Sequence, residues 1–339
     1  WTLSRGLGDV YKRQILTLLL TITTNSFSEM ISKSGFYDKN MKLQKDQTKD
    51  NIDDPGNKII LIYNSGQDYH DIPKSNLKDC ANTTDIFALA TLVSTKINNK
   101  EIMLYILCTQ KLAGDDENLW NKKKFKEPYK GTTKLDKAAN LNLKLIDNFV
   151  KIGTPANQIF LTGHSCGAWM TFMLMAKHPN KVAGGIVTMP ACYGMLTENT
   201  KVKKIGVKKG LEKFRKKNGD GPANLRQNQI NEIKKSKNLP ILVFTHPEDP
   251  FDGLLSDWMD DIPGVKRIIL QTEGKKGNYK LNKQKCRVHD RQDGKITKIK
   301  PRDAHDLAFT DCFQFYNPTI LKYIELSLIH ISEPTRQSP

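Results

Sequence analysis

Ser165 lies in Gly163-His164-Ser165-Cys166-Gly167, between an apolar run (Ile159, Phe160, Leu161) and a longer one from Ala168 to Ala176. The first run reads as a buried strand and the second as a helix, so the five residues make a tight turn with Ser165 at its apex. In so sharp a turn a Cβ at either glycine would meet the neighbouring strand or helix. The serine oxygen is then lifted clear of the sheet and faces a helix N-terminus, whose unpaired amides favour negative charge. The chemistry this suits is nucleophilic attack on a carbonyl, with the Cys166 amide donating to the oxyanion. The pattern itself is common; the strand before it and the apolar helix after it supply the context.

A serine hydroxyl needs a base to take its proton and a third group to orient that base. A predicted strand, Pro240 to Thr245, ends in His246-Pro247-Glu248-Asp249-Pro250-Phe251-Asp252-Gly253. An acid just past a strand, after the serine and before the histidine, suits the orienting role, with Asp249 as first choice and Asp252 as second. The base falls in Pro301-Arg302-Asp303-Ala304-His305-Asp306, ahead of a helix from Leu307 to Tyr323. His305 is favoured over His289, which lies earlier in a basic loop. His164, His178 and His70 read as structural, although His70 is placed to line a pocket.

The elements that must hold these residues alternate. Lys58 to Asn64 is a strand, Thr84 to Ile97 a helix, Glu101 to Cys108 a strand and Leu135 to Ile152 a helix ending at Gly153. The strand before Ser165 and the helix after it follow. Lys181 to Cys192 and Val265 to Thr272 complete the strands. This order predicts an α/β chain with a mostly parallel, doubly wound sheet. Residues 111–132 are a polar stretch containing Trp120 and Tyr129. Residues 275–300 are polar and basic. From Tyr193 to Asn238 the rhythm breaks into basic and polar helical sequence, expected to form a helical lid insertion over residues 195–238.

Ser165, Asp249 and His305, in that chain order, resemble the triad of the α/β-hydrolase superfamily over roughly Lys58 to Tyr323. The resemblance implies a sheet of about eight strands and acyl transfer first to the serine, then to water. It also implies a second oxyanion donor in the glycine-containing loop after an early strand, at Gly66 or Gln67. Dienelactone hydrolases carry cysteine at the nucleophile, where this chain has Ser165. Tannases and feruloyl esterases place cysteine before both serine and histidine, where this chain has His164 and Ala304. The Asn-Ser-Gly-Gln loop differs from the His-Gly loops of lipases. The expected function is therefore that of a serine hydrolase, a carboxylesterase acting on small or polymeric esters, with no cofactor and no metal. A serine peptidase on the same fold and a non-catalytic binding protein are the alternatives.

Reverse-complementing one permitted codon set for Ser4 to Gln14 yields the sequence Leu326 to Arg336. That DNA resembles a sequencing-library adapter, so residues 1–14 and 326–339 are expected to be artefact. Residues 15–28 then read as a truncated signal peptide, with a buried strand as the alternative, and residues 29–325 as the hydrolase domain. No lipoprotein cysteine lies near Ser28, so no stable membrane anchor is expected, and the protein is placed in the periplasm or outside the cell. The formal charge of +17 comes from dispersed lysines without a nucleic-acid-binding motif, and is read as a solvated surface rather than a nucleic-acid site. Six cysteines allow disulfides in an exported chain. Cys286 with Cys312 is the favoured pair, and Cys166 with Cys192 would join the ends of neighbouring strands. Oligomeric state is left open.

Overall fold

The computed structural model describes residues 33–66, 86–109, 132–193, 205–270, 286–292, 295–301 and 303–330. Gln67, His70, Cys80, the polar stretch 111–131 and the expected signal segment lie outside them. So do residues 1–14 and 331–339.

Eight of the described strands form one sheet. In chain order they are β1 (Gly35–Tyr37), β2 (Lys58–Asn64), β3 (Lys96–Ile97), β4 (Lys100–Leu107), β5 (Ile159–His164), β6 (Gly184–Thr188), β7 (Ile241–Thr245) and β8 (Val265–Ile269). Their spatial order is β1-β4-β2-β5-β6-β7-β8, with β3 on β4. All neighbours from β4 to β8 are parallel, while β1 and β3 are antiparallel to β4. The central strands are apolar at almost every position because both faces are covered. In β2, Ile60 and Ile62 join one core, while Ile59, Leu61 and Tyr63 join the other. That is the period-2 alternation of a strand.

Helices α1 (Phe87–Ala90), α2 (Lys134–Lys151), α3 (Cys166–Lys177), α4 (Val207–Asn218), α5 (Gly221–Ile233) and α6 (Asn317–His330) surround the sheet. The first core takes side chains from α2, α3 and α5, the second from α1 and α6. α2 starts at a capping box: Asp136 N donates to Thr133 Oγ1 and Thr133 N donates to Asp136 Oδ2, both at 3.0 Å. Among the described residues no helix is long and apolar enough to cross a membrane.

Three parts depart from the sequence-based expectation. The helix expected from Thr84 to Ile97 is a single turn, α1, because Ser94 turns into the left-handed region (φ 68°) and Lys96–Ile97 pairs with β4 instead. The strand expected from Lys181 to Cys192 narrows to β6, and Met189 ends it at φ 46°. The basic stretch before His305 contains a hairpin, β9 (Val288–Gln292) with β10 (Lys295–Ile299). Within the 195–238 insertion, α5 buries Leu225, Ile230 and Ile233 in the same core as α3, so it is part of the body of the domain. α4 rests on α5 through Phe214 and Ala223.

Candidate active site

β5 delivers Ser165 at the carboxyl end of the sheet, and α3 begins at the next residue. Ser165 has φ 55° and ψ −121°, a conformation costly for a residue with a Cβ. The flanking glycines explain how so sharp a turn fits. A Cβ on Gly163 would lie 2.6 Å from the Gly167 carbonyl carbon. A Cβ on Gly167 would strike the Asn64 carbonyl oxygen and lie 2.6 Å from its carbon. The start of α3 is thus pressed onto the end of β2. Ser165 occupies the helix N-cap, yet its side chain caps no amide. Its Oγ donates to the Ala191 carbonyl (3.2 Å) instead. The Ala191 amide donates back to the Ser165 carbonyl (3.3 Å), and a Cys166–Cys192 disulfide closes the same junction.

Gly66 stands against the serine: a Cβ there would lie 3.0 Å from Ser165 Cβ. Its strand end is fixed by a buried side-chain pair. Asn142 Nδ2 donates to Asn64 Oδ1 (2.8 Å), and Asn64 Nδ2 donates to Asn142 Oδ1 (3.1 Å).

Asp249 follows β7 in a loop closed by its own bonds. It is 2 % exposed, and its Oδ1 accepts the Phe251 amide (2.9 Å). Its Oδ2 lies 2.9 Å from His305 Nδ1. His305 sits in the 3-10 turn Ala304–Phe309, and its amide donates to Asp303 Oδ1 (2.8 Å). The Cys286–Cys312 disulfide braces this segment against the foot of β9. The imidazole lies between two rings, with centroids 4.4 Å from Phe251 and 4.5 Å from His164. His164 precedes Ser165 and is held by Thr188 Oγ1 (3.0 Å from Nδ1).

Burial opposes a charge on His305, but Asp249, joined by Asp303 and Asp306, outweighs it and raises its pKa above the ordinary imidazole value. With Nδ1 engaged by a carboxylate, the neutral ring keeps its proton there and leaves Nε2 bare to act as a base. Asp303 is itself raised, first by burial and then by Asp306.

A mostly parallel eight-stranded sheet covered by helices on both faces, with a strained turn between the central strand β5 and helix α3, decides the architecture. The fold is the α/β-hydrolase fold. Within this α/β-hydrolase fold, residues 121–215 match the family model described as Phospholipase/Carboxylesterase. No curated protein matches the sequence. Among solved structures, the chain is similar to fungal esterases from Rhizomucor miehei, at 12 % identity, covering 82 % of this chain and 78 % of that one, with TM-score 0.46. It is also similar to a sugar hydrolase from Lactococcus lactis (13 % identity, 88 % and 94 % covered, TM-score 0.43). A phospholipase/carboxylesterase from Dyadobacter fermentans gives 14 % identity, 71 % and 89 % coverage and TM-score 0.35.

The two weaker candidates go elsewhere. Asp252 is bound by Arg226 and not by the histidine. His289 is buried on β9. Sequence reasoning missed Phe251, Asn142 and Ala191. Only Phe251 left a signal, as an aromatic between the two acids of a loop already under suspicion.

Proposed function

We propose that this chain is an exported serine hydrolase that cleaves carboxylic esters through Ser165, His305 and Asp249. The observations that carry the reading are the strained Ser165 at the carboxyl end of β5 and the buried Asp249–His305 pair at 2.9 Å, with the ring of His164, the residue before Ser165, 4.5 Å from the His305 ring. In the first half-reaction Ser165 Oγ turns from the Ala191 carbonyl and attacks the ester carbon while His305 Nε2 takes its proton. The Cys166 amide and one from the Gly66–Gln67 loop hold the oxyanion, an interaction whose loss costs on the order of a hundredfold or more in rate. His305 then protonates the departing alcohol. In the second half-reaction it activates water against the acyl-serine. Asp249 keeps the proton on Nδ1 and stabilises the imidazolium.

The family match over residues 121–215 supports ester over other acyl substrates. The two disulfides among the described residues support an oxidising compartment, as expected of an exported protein. A panel of p-nitrophenyl esters of rising acyl length, run beside peptide anilides, tests the reading. Turnover of esters that disappears in Ser165→Ala is expected. Ester turnover retained in that variant contradicts it.

A further inference from the structure

α5 carries a buried arginine that the proposed reaction does not use. Arg226 is 8 % exposed. Its Nε and Nη2 donate to Asp252 Oδ2 at 3.1 and 2.8 Å, and Nη2 also donates to the Leu255 carbonyl at 3.2 Å. On its other side the guanidinium lies 5.5 Å from the centre of the Trp169 ring. Trp169 is on α3, and its amide donates to the Ser165 carbonyl (3.0 Å). Gln229, one helical turn from Arg226, accepts from Trp169 Nε1 and Tyr193 Oη, both at 2.6 Å.

Asp252 is the far anchor of the loop that presents Asp249. The Gly253 amide closes the loop on the Asp249 carbonyl (3.2 Å), and a Cβ on Gly253 would strike the His246 carbonyl. The loop is therefore compact. A buried ion pair of this kind contributes little net stability, because desolvation offsets its attraction, but parting its members leaves an uncompensated buried charge, so the two stay together. We infer that Arg226 is a positioning residue that clamps the acid loop to the nucleophile helix and thereby sets Asp249 against His305. The inference rests on the triad reading above.

The clamp has a kinetic signature. The charged groups facing Asp252 are Arg226, Asp249 and Asp257, and those facing His305 are Asp249, Asp303 and Asp306. If the clamp is released, His305 loses part of the carboxylate that raises its pKa, and the acid limb of kcat/KM moves to lower pH. Loss of a nearby cation by itself would move that limb the other way, so the sign is diagnostic.

The test uses the full chain, with active sites counted by fluorophosphonate so that rates are expressed per reactive serine. Arg226→Met is expected to lower kcat about tenfold to a hundredfold, as a small misplacement of a catalytic group does. KM for p-nitrophenyl acetate should stay within about twofold, because a clamp on the acid–base pair acts on the chemical step rather than on substrate binding. The acid limb should shift down, as in Asp249→Asn, and Arg226→Lys should recover part of kcat. Wild-type kcat per site with an unmoved limb overturns the clamp. So does a loss confined to the number of reactive sites, which would make Arg226 a folding residue. Should Arg226→Met not fold, Arg226→Gln serves on the same readouts: a lowered kcat with the acid limb shifted down supports the clamp, and an unmoved limb overturns it. An unmoved limb in Asp249→Asn brings down the triad reading and the clamp with it.

Discussion

Asp249 Oδ2 and His305 Nδ1 meet at 2.9 Å across 56 residues of chain, and each is fixed by a separate local bond. The Phe251 amide holds Asp249 at its other oxygen, and Asp303 holds the backbone of His305. Phe251 serves both partners, since its ring also lies against the imidazole. The pair is set before any substrate arrives, which is the condition for electrostatic preorganisation.

The pH dependence of activity follows from that contact. A base must be neutral to accept a proton, and Asp249 raises the pKa of His305. Activity should therefore rise through a pKa above the usual imidazole value. Asp249→Asn should move this limb down and lower kcat by about a thousandfold to ten-thousandfold, because the orienting carboxylate is lost. A kcat/KM profile on p-nitrophenyl acetate reads both effects.

Stability should depend on pH with the opposite slope from that of a typical carboxylate. Burial pushes the Asp252 carboxyl from 3.8 up to about 7, with Arg226 opposing. The folded state then binds more protons than the unfolded one, so this group's contribution falls as pH rises from 3.8 to about 7. His305 adds the same sign: its contribution is full below 6.5 and is lost as pH rises through its raised value. Thermal unfolding between these limits should show a declining Tm, and Asp252→Asn should flatten the Asp252 part of the decline.

The second glycine of the serine turn has no room for a methyl group. A Cβ on Gly167 meets the Asn64 carbonyl and lies 2.8 Å from the Ser65 carbonyl oxygen, both backbone atoms that cannot swing aside. Gly167→Ala should cost about 3 kcal/mol or more, or prevent folding, through overpacking against rigid neighbours. Urea unfolding or the yield of folded protein measures this.

The Cys166–Cys192 and Cys286–Cys312 disulfides have equal sequence separation, 26 residues, and should differ in kinetics more than in stability. Chain entropy assigns each about 3.5 kcal/mol. Removing Cys286–Cys312 leaves Arg287 bonded to Asp311 and Val288 bridged to Thr310, so the His305 segment keeps its anchor. Removing Cys166–Cys192 loosens the residue proposed to supply an oxyanion amide. Paired alanine variants should show similar losses of stability, with the larger fall in kcat at Cys166/Cys192.

What the sequence made legible depended on how local the cause was. The strands of the parallel sheet are unbroken apolar runs, and β2, β4 and β7 lie within a residue or two of their expected bounds. The hairpin β9–β10 was hidden because its lysines and arginine mask the period-2 pattern. α1 stops early because pairing of Lys96–Ile97 with β4 overrides helix propensity. At the site, chain order and flanking elements singled out Ser165, Asp249 and His305. Arg226 looked like one more charge on a polar helix, and only its contacts with Asp252 and Trp169 distinguish it.

The most direct test of the central claim is fluorophosphonate labelling of the folded chain, followed by mass-spectrometric mapping of the modified residue. An adduct on Ser165, lost or strongly slowed in His305→Ala, is the predicted result. Folded protein that stays unlabelled, or that carries its adduct on another residue, contradicts the account.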